Sequence, residues 1–316
     1  MKSRSIAGLS MKGGRKDKFF FCLLEYYADS GRWFLRSFLQ AKDEEGISGD
    51  EAIRSWIEKF DIEHLVLDFP LSSPPCHSCQ LECPGSDSCP VESVTKVREI
   101  MNSLKEEDAR LAKENPKKYE QERNHDDEFD FCKDILAKET HEHMLSRSFK
   151  RRLKKGILPY WNRPLDFFLW FNYYDQLLDL FNSSYDSFGN TSLMIQSRFS
   201  YLRRHLPSGL ELFEGNSQLT LIELLRSKII QSRDIQNIND IELGAEARLN
   251  IIKRIEKYLN IFIYDQDLEI ICKHPRAFDS FLMTLSGQNI HLKQNRELPD
   301  WAEADQCRFI IPSFLG

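Results

Sequence analysis

The chain has 316 residues, 41% of them hydrophobic, with a formal net charge of -6, which fits one large globular domain or two ordinary ones. The acidic balance excludes a protein that coats nucleic acid through bulk charge, so such a contact needs a local basic patch. The apolar run after "MKSRS" is too short for a signal peptide, and no segment approaches the roughly 20 apolar residues of a membrane-spanning helix. The expectation is a cytoplasmic protein with no membrane partner.

In chain order, "SIAGL", "KFFFCLLEYY" and "RWFLRSFL" predict three strands, separated by "SMKGGRKD" and "ADSG", an antiparallel meander. "SGDE" offers a capping box from Ser48 to Glu51, followed by Ile53, Trp56, Ile57 and Phe60 at helical spacing. "HLVLDFP" then reads as a strand covered on both faces and stopped by Pro70, with Asp68 near its C-terminal end.

Residues 91–207 read as a helical insertion. It opens with the polar stretch "NSLKEEDARLAKENPKKYEQERNHDDEFD", a projecting helical pair or a mobile segment with too few apolar residues to bury much. "RSFKRRLKKG" brings Arg147, Lys150, Arg151, Arg152, Lys154 and Lys155 together, a patch able to grip phosphates, although such runs are commonly solvated helix ends. "RPLDFFLWFNYYDQLLDLF" is aromatic on nearly all sides and reads as a core helix rather than a base-stacking platform. After a further amphipathic helix ended by Pro207, "SGLELF" returns to strand character with Glu211 inside it. "NSQLTLIELLRSKII", "AEARLNIIKRIEKYLNIFI" and "HPRAFDSFLMTLSG" predict helices, the last carrying Asp279, and "CRFIIPSF" a closing strand or extended tail.

Of the eight cysteines, Cys22, Cys132, Cys272 and Cys307 are scattered in segments where a thiol packs as a small hydrophobe. Cys76, Cys79, Cys83 and Cys89 instead follow the spacing C-x2-C-x3-C-x5-C in a loop rich in proline. Four thiolates so spaced can wrap one ion and order a loop that has almost no apolar content, with His77 able to replace one of them. Zn²⁺ is the commoner occupant of such loops, while the Cys-Pro pairs leave an iron–sulfur cluster as the alternative. His125, Asp126, Asp127, Cys132, His141 and His143 also have ligand chemistry, but His141 and His143 are two apart on a helix-like stretch, so these read as solvent-facing.

The pieces "AGLSMKGG", "LDFPLS", "LELFEGNSQL", "HPRAFDSFLMTLSG" and "RFIIPSF" resemble, in order, the motifs of the predicted ribonuclease H-like nuclease family called domain of unknown function 429. The resemblance implies an α/β, ribonuclease H-like fold: a mixed five-stranded sheet with a large helical insertion and the Cys loop. Residues 1–90 and 208–316 would be the two halves of the core, with 91–207 inserted. It implies a divalent-metal-dependent nuclease in which Asp68, Glu211 and Asp279 hold Mg²⁺ or Mn²⁺. The family's Gly-x-Asp is Gly8, Leu9 and Ser10 here, with Asp17 as a substitute carboxylate from the turn or simply a turn-closing residue. That mismatch supports the alternative, a catalytically degenerate module that binds nucleic acid or protein. The short link from Asp68 to Cys76 leads to the expectation that the Cys loop rims the carboxylate site.

Overall fold

A computed structural model describes residues 4–11, 19–41, 48–117, 119, 120, 136, 145–183, 190–302 and 308–314. The chain forms two compact units. Unit 1 comprises Met1–Leu71, Gly189–Glu297 and Gln306–Gly316, and unit 2 comprises Ser72–Phe188 and Leu298–Asp305. The strands are β1 (Arg4–Ser10), β2 (Phe19–Tyr27), β3 (Arg32–Ala41), β4 (His64–Leu67), β5 (Glu211–Glu214), β6 (Ile261–Phe262) and β7 (Arg308–Phe309). The helices are α1 (Gly49–Lys59), α2 (Glu92–Glu114), α3 (Arg147–Lys155), α4 (Pro164–Phe181), α5 (Asn190–Arg203), α6 (Ser217–Arg226), α7 (Ser232–Gln236), α8 (Gly244–Leu259), α9 (Asp265–Lys273) and α10 (Pro275–Leu292).

Unit 1 is a mixed α/β layer structure around one sheet of order β6-β3-β2-β1-β4-β5-β7. The predicted meander is there: β1 pairs antiparallel with β2 and β2 with β3, while β4 lies parallel to β1 and β5 parallel to β4. The sheet has seven strands where five were expected. The two additions, β6 and β7, are two residues long and extend the parallel edges; β7 lies in "CRFIIPSF", read as a closing strand or extended tail, while β6 ends a stretch read as helix and is too short for alternation to show.

Alternation along the strands divides the core between two faces. Ala7, Leu9, Phe21, Leu23, Leu65 and Leu67 pack with Ile53 and Ile57 of α1 and with Ile195, Phe199 and Leu202 of α5. The α1 start is capped as its sequence predicts, Glu51 N donating to Ser48 Oγ at 3.2 Å. Membership of α5 in unit 1 differs from the expectation that everything between residues 91 and 207 is insertion. Its apolar residues complete the sheet's cover, which gives it a core function rather than an inserted one.

The opposite face is covered by α10. A Cβ at Gly8 would lie 2.3 Å from Ser280 O and 2.6 Å from Thr284 N, and one at Gly287 would lie 2.3 Å from Ile6 Cγ2. Helix and sheet backbones therefore approach closely, and Ser280 Oγ donates to Gly8 O at 2.8 Å. Since Ser280 and Thr284 meet Gly8 while Gly287 meets Ile6, α10 runs antiparallel to β1. Its first turns lie at the C-terminal ends of the parallel strands β1, β4 and β5.

Unit 2 holds the helices of the insertion. The aromatic helix is core, as its composition predicts: Leu165, Phe167, Phe168, Leu169, Trp170 and Tyr173 of α4 are all buried, and Trp301 rings against Phe167 and Phe168. The polar stretch after residue 101 continues α2 to Glu114 on a narrow stripe of Val94, Val97, Met101 and Leu104. Inside unit 2, Arg163 and Asp166 form a fully buried ion pair. No described helix is long and apolar enough to cross a membrane.

Candidate functional site

Asp68 follows β4 directly and is 4% exposed. Its row on the sheet is shared with Ser10, whose neighbour Leu9 is in register with Leu67. Both carboxylate oxygens are engaged: Ser10 Oγ donates to Oδ2 at 2.5 Å and Met11 N donates to Oδ1 at 3.0 Å. The hydroxyl that stands where the family resemblance calls for an Asp thus serves as a donor to the one strand-end Asp that is present. Two hydrogen bonds of this kind, inside a buried site, fix the orientation of the carboxylate.

Glu211 does not join this cluster. It is in register with His64, the first residue of β4, and so sits at the far end of the sheet from Asp68. It is half exposed there, with partners His64 Nδ1 at 3.1 Å and Arg308 Nη1 at 3.1 Å. The parallel register instead brings Glu214, opposite Leu67, to the Asp68 end. Glu214 is 1% exposed and its Oε2 accepts from Leu71 N at 2.9 Å. By alternation it leaves the sheet on the α1 and α5 face, whereas Ser10 and Asp68 lie on the α10 face.

Asp279 lies on the α10 face, at the correct end. It is one turn before Met283, whose Sδ would lie 2.9 Å from a Cβ at Gly215, the residue after Glu214. Asp279 is partly buried; burial lowers the affinity of Arg248 for its proton, and Cys272 and then Asp279 partly offset that. A further residue went unnoticed in the sequence. Arg276 is one turn before Ser280 on the row that meets Gly8, which carries it toward the level of Ser10 and Asp68. The signal available was the i, i+4 spacing of Arg276, Ser280 and Thr284. Asp17 lies outside the described residues.

Replacing Ser10 by aspartate would set two carboxylates against each other inside this pocket. We expect Ser10→Asp to cost about 2 kcal/mol in chelator, because like charges in a buried pair resist joint ionisation. Saturating Mg²⁺ or Mn²⁺ should return roughly that amount, about 2.7 kcal/mol at a hundredfold excess over the dissociation constant. Urea unfolding with and without the metal checks this, and a variant whose midpoint shifts no more with metal than the wild type would contradict a cation site there.

The Cys loop belongs to unit 2, not to the sheet unit in which it was expected. Two short 3-10 turns, Pro75–His77 and Ser86–Ser88, carry the chain, and the four thiols are free. Burial pushes the Cys76 thiol up, and so, in decreasing order, do Cys89, Cys83 and Cys79. Among the described residues, no three His, Cys, Asp or Glu side chains are arranged as a preformed metal cage, at the loop or at the carboxylates. Cys22 and Cys272 are buried thiols pushed up by desolvation, in keeping with packing roles. Cys132, Cys307, His125, Asp126, Asp127, His141 and His143 lie outside the described residues.

The basic run is smaller as a patch than it looks in sequence. Within unit 2, Lys150 pairs with Asp108 and Tyr119, Arg147 with Glu120, and Arg152 lies 3.9 Å over the Trp170 ring. Arg151, Lys154 and Lys155 are exposed, as is Arg147. Unit 1 has its own basic cleft, lined by Arg233, Lys253, Arg254 and Lys257 around Asp234. Its residues are separated by the α7 to α8 connection, so no run of charge announced it. No family model, curated protein or solved structure matches the chain.

Proposed function

We propose that the chain is a ribonuclease H-like protein that hydrolyses phosphodiester bonds with a divalent cation. The observation that carries this reading is the strand order β3-β2-β1-β4-β5 with only β2 antiparallel, together with Asp68 at a parallel strand end and Asp279 on the helix crossing that end. Active sites of open α/β sheets lie at the carboxyl ends of their parallel strands. Asp68 and Asp279 would hold Mg²⁺ or Mn²⁺, since carboxylate oxygens suit hard cations; Glu211, at the far end of β5, and Glu214, on the opposite face of the sheet, are not among the proposed ligands. The bound cation would supply Lewis-acid activation at the phosphodiester. Ser10 keeps Asp68 aimed, while the cleft of Arg233, Lys253, Arg254 and Lys257 offers phosphate contacts to a nucleic acid whose approach the net acidic chain would otherwise oppose.

A second reading, a catalytically degenerate module that binds nucleic acid or protein, is favoured by one observation. The Ser10 hydroxyl and the Met11 amide already occupy both oxygens of Asp68. Cleavage of single- and double-stranded DNA and RNA in Mg²⁺ or Mn²⁺, by wild type and Asp68→Asn, separates the two. Hydrolysis lost by a hundredfold or more in the variant supports the nuclease. Equal rates, or none in either protein, support the degenerate module.

A further inference from the structure

The loop between Ser72 and Pro90 has a defined course and almost no core. Along it only Pro74 and Cys89 are buried, and its largest apolar side chain, Leu81, is 57% exposed. A segment so poor in apolar contacts gains little from burial to offset the conformational entropy of holding one shape. Its tethers include hydrogen bonds at the two ends of the cysteine series. Cys76 N donates to Pro159 O at 3.0 Å, and Thr95 Oγ1 donates to Cys89 O at 3.1 Å. Arg98 donates to Ser86 O at 3.2 Å and to Cys89 O at 3.4 Å. Between those tethers the chain folds back through Gly85, at φ +95°, a left-handed conformation suited to glycine.

What the middle of the loop has instead of apolar side chains is sulfur. We propose that Cys76, Cys79, Cys83 and Cys89 bind a single structural Zn²⁺ as a closed tetrathiolate site, which supplies the ordering energy that the loop lacks. The tethers hold Cys76 and Cys89, the first and last ligands, and the turn at Gly85 returns the chain between Cys83 and Cys89. Zn²⁺ is bound by thiolates, so each of the four thiols must lose its proton. Binding then releases those protons and converts four neutral groups into a site of net double negative charge. Arg98, fixed by the carbonyl of a ligand residue, is placed to offset part of that charge. Zinc is preferred over an iron–sulfur cluster because one tetrahedral ion satisfies four sulfurs with no sulfide or electron partner. The site is independent of the nuclease reading, since it lies in unit 2 and uses none of the carboxylates.

The experiment is elemental analysis of the full chain purified without added metal, with Cys79→Ser and Cys83→Ser beside it. Expected are about one zinc per chain, its loss in both variants, and four thiols that react with a thiol reagent only after chelation. Because a Cys variant could fail to fold, Co²⁺ is exchanged into the wild-type chain as a second measurement. The intense visible bands of tetrahedral tetrathiolate Co²⁺, displaced by stoichiometric Zn²⁺, support the site. Iron with acid-labile sulfide, disulfides among the four cysteines, or no bound metal and no such bands would each overturn it.

Discussion

Gly8→Ala is expected to destabilise unit 1 by more than about 3 kcal/mol, the upper part of the range for overpacked interiors. A single methyl would meet Ser280 O at 2.3 Å and Thr284 N at 2.6 Å, both backbone atoms of a helix that cannot give locally. Relief requires α10 to lift from the sheet, which would also break the Ser280 to Gly8 hydrogen bond and open the contact of Gly287 with Ile6. The effect should reach the candidate site, because α10 carries Asp279. Urea unfolding followed by a unit 1 probe gives the magnitude. A loss below about 1 kcal/mol would mean that the helix sits further from β1 than described.

Asp166→Ala is expected to cost unit 2 about 3 to 5 kcal/mol, the usual penalty for leaving one member of a buried ion pair unpaired. Arg163 N donates to Asp166 Oδ2 at 2.8 Å, and its Nε and Nη2 donate to Oδ1 at 3.2 and 3.0 Å. Arg163 Nη1 continues to Ser72 Oγ at 3.0 Å, so the guanidinium also ties the start of the Cys loop to α4. The single variant strands that cation in a site where it is 2% exposed. Replacing both partners, as Arg163→Met with Asp166→Leu, removes the charge altogether and should lose less than Asp166→Ala alone. Hydrogen exchange along α4 reads both. A double variant worse than the single one would show that the pair, rather than the avoided charge, sustains the packing.

The parts of this fold that sequence revealed are those set by local rules. Apolar runs bounded by turn residues gave β1 to β3, a continuous apolar run stopped by Pro70 gave β4, Ser48 gave the start of α1, and the aromatic run gave a buried α4. The cysteine spacing likewise stood out unaided. What stayed hidden depends on register and on partners far along the chain. Glu211 and Glu214 are both on one four-residue strand, and only pairing of Leu67 with Glu214 decides which reaches the Asp68 end. Ser10 read as a missing ligand, yet its role as a donor to Asp68 required β1 and β4 to be side by side. The basic run read as a surface because Asp108, the acid that neutralises Lys150, lies on α2. The edge strand β7 falls in the stretch read as a closing strand or extended tail, whereas β6, two residues at the end of a stretch read as helix, is too short to carry any period.

The most direct test of the carboxylate site is the Mn²⁺-dependent cleavage rate of three variants measured together, Asp68→Asn, Asp279→Asn and Glu211→Gln. Asp68→Asn and Asp279→Asn should each lose a hundredfold or more, since each removes a ligand of the proposed cation site, while Glu211→Gln at the far end of β5 should keep the wild-type rate. A wild-type chain without activity, or Glu211→Gln falling as far as Asp68→Asn, would contradict a hydrolytic site at the C-terminal ends of β1 and β4.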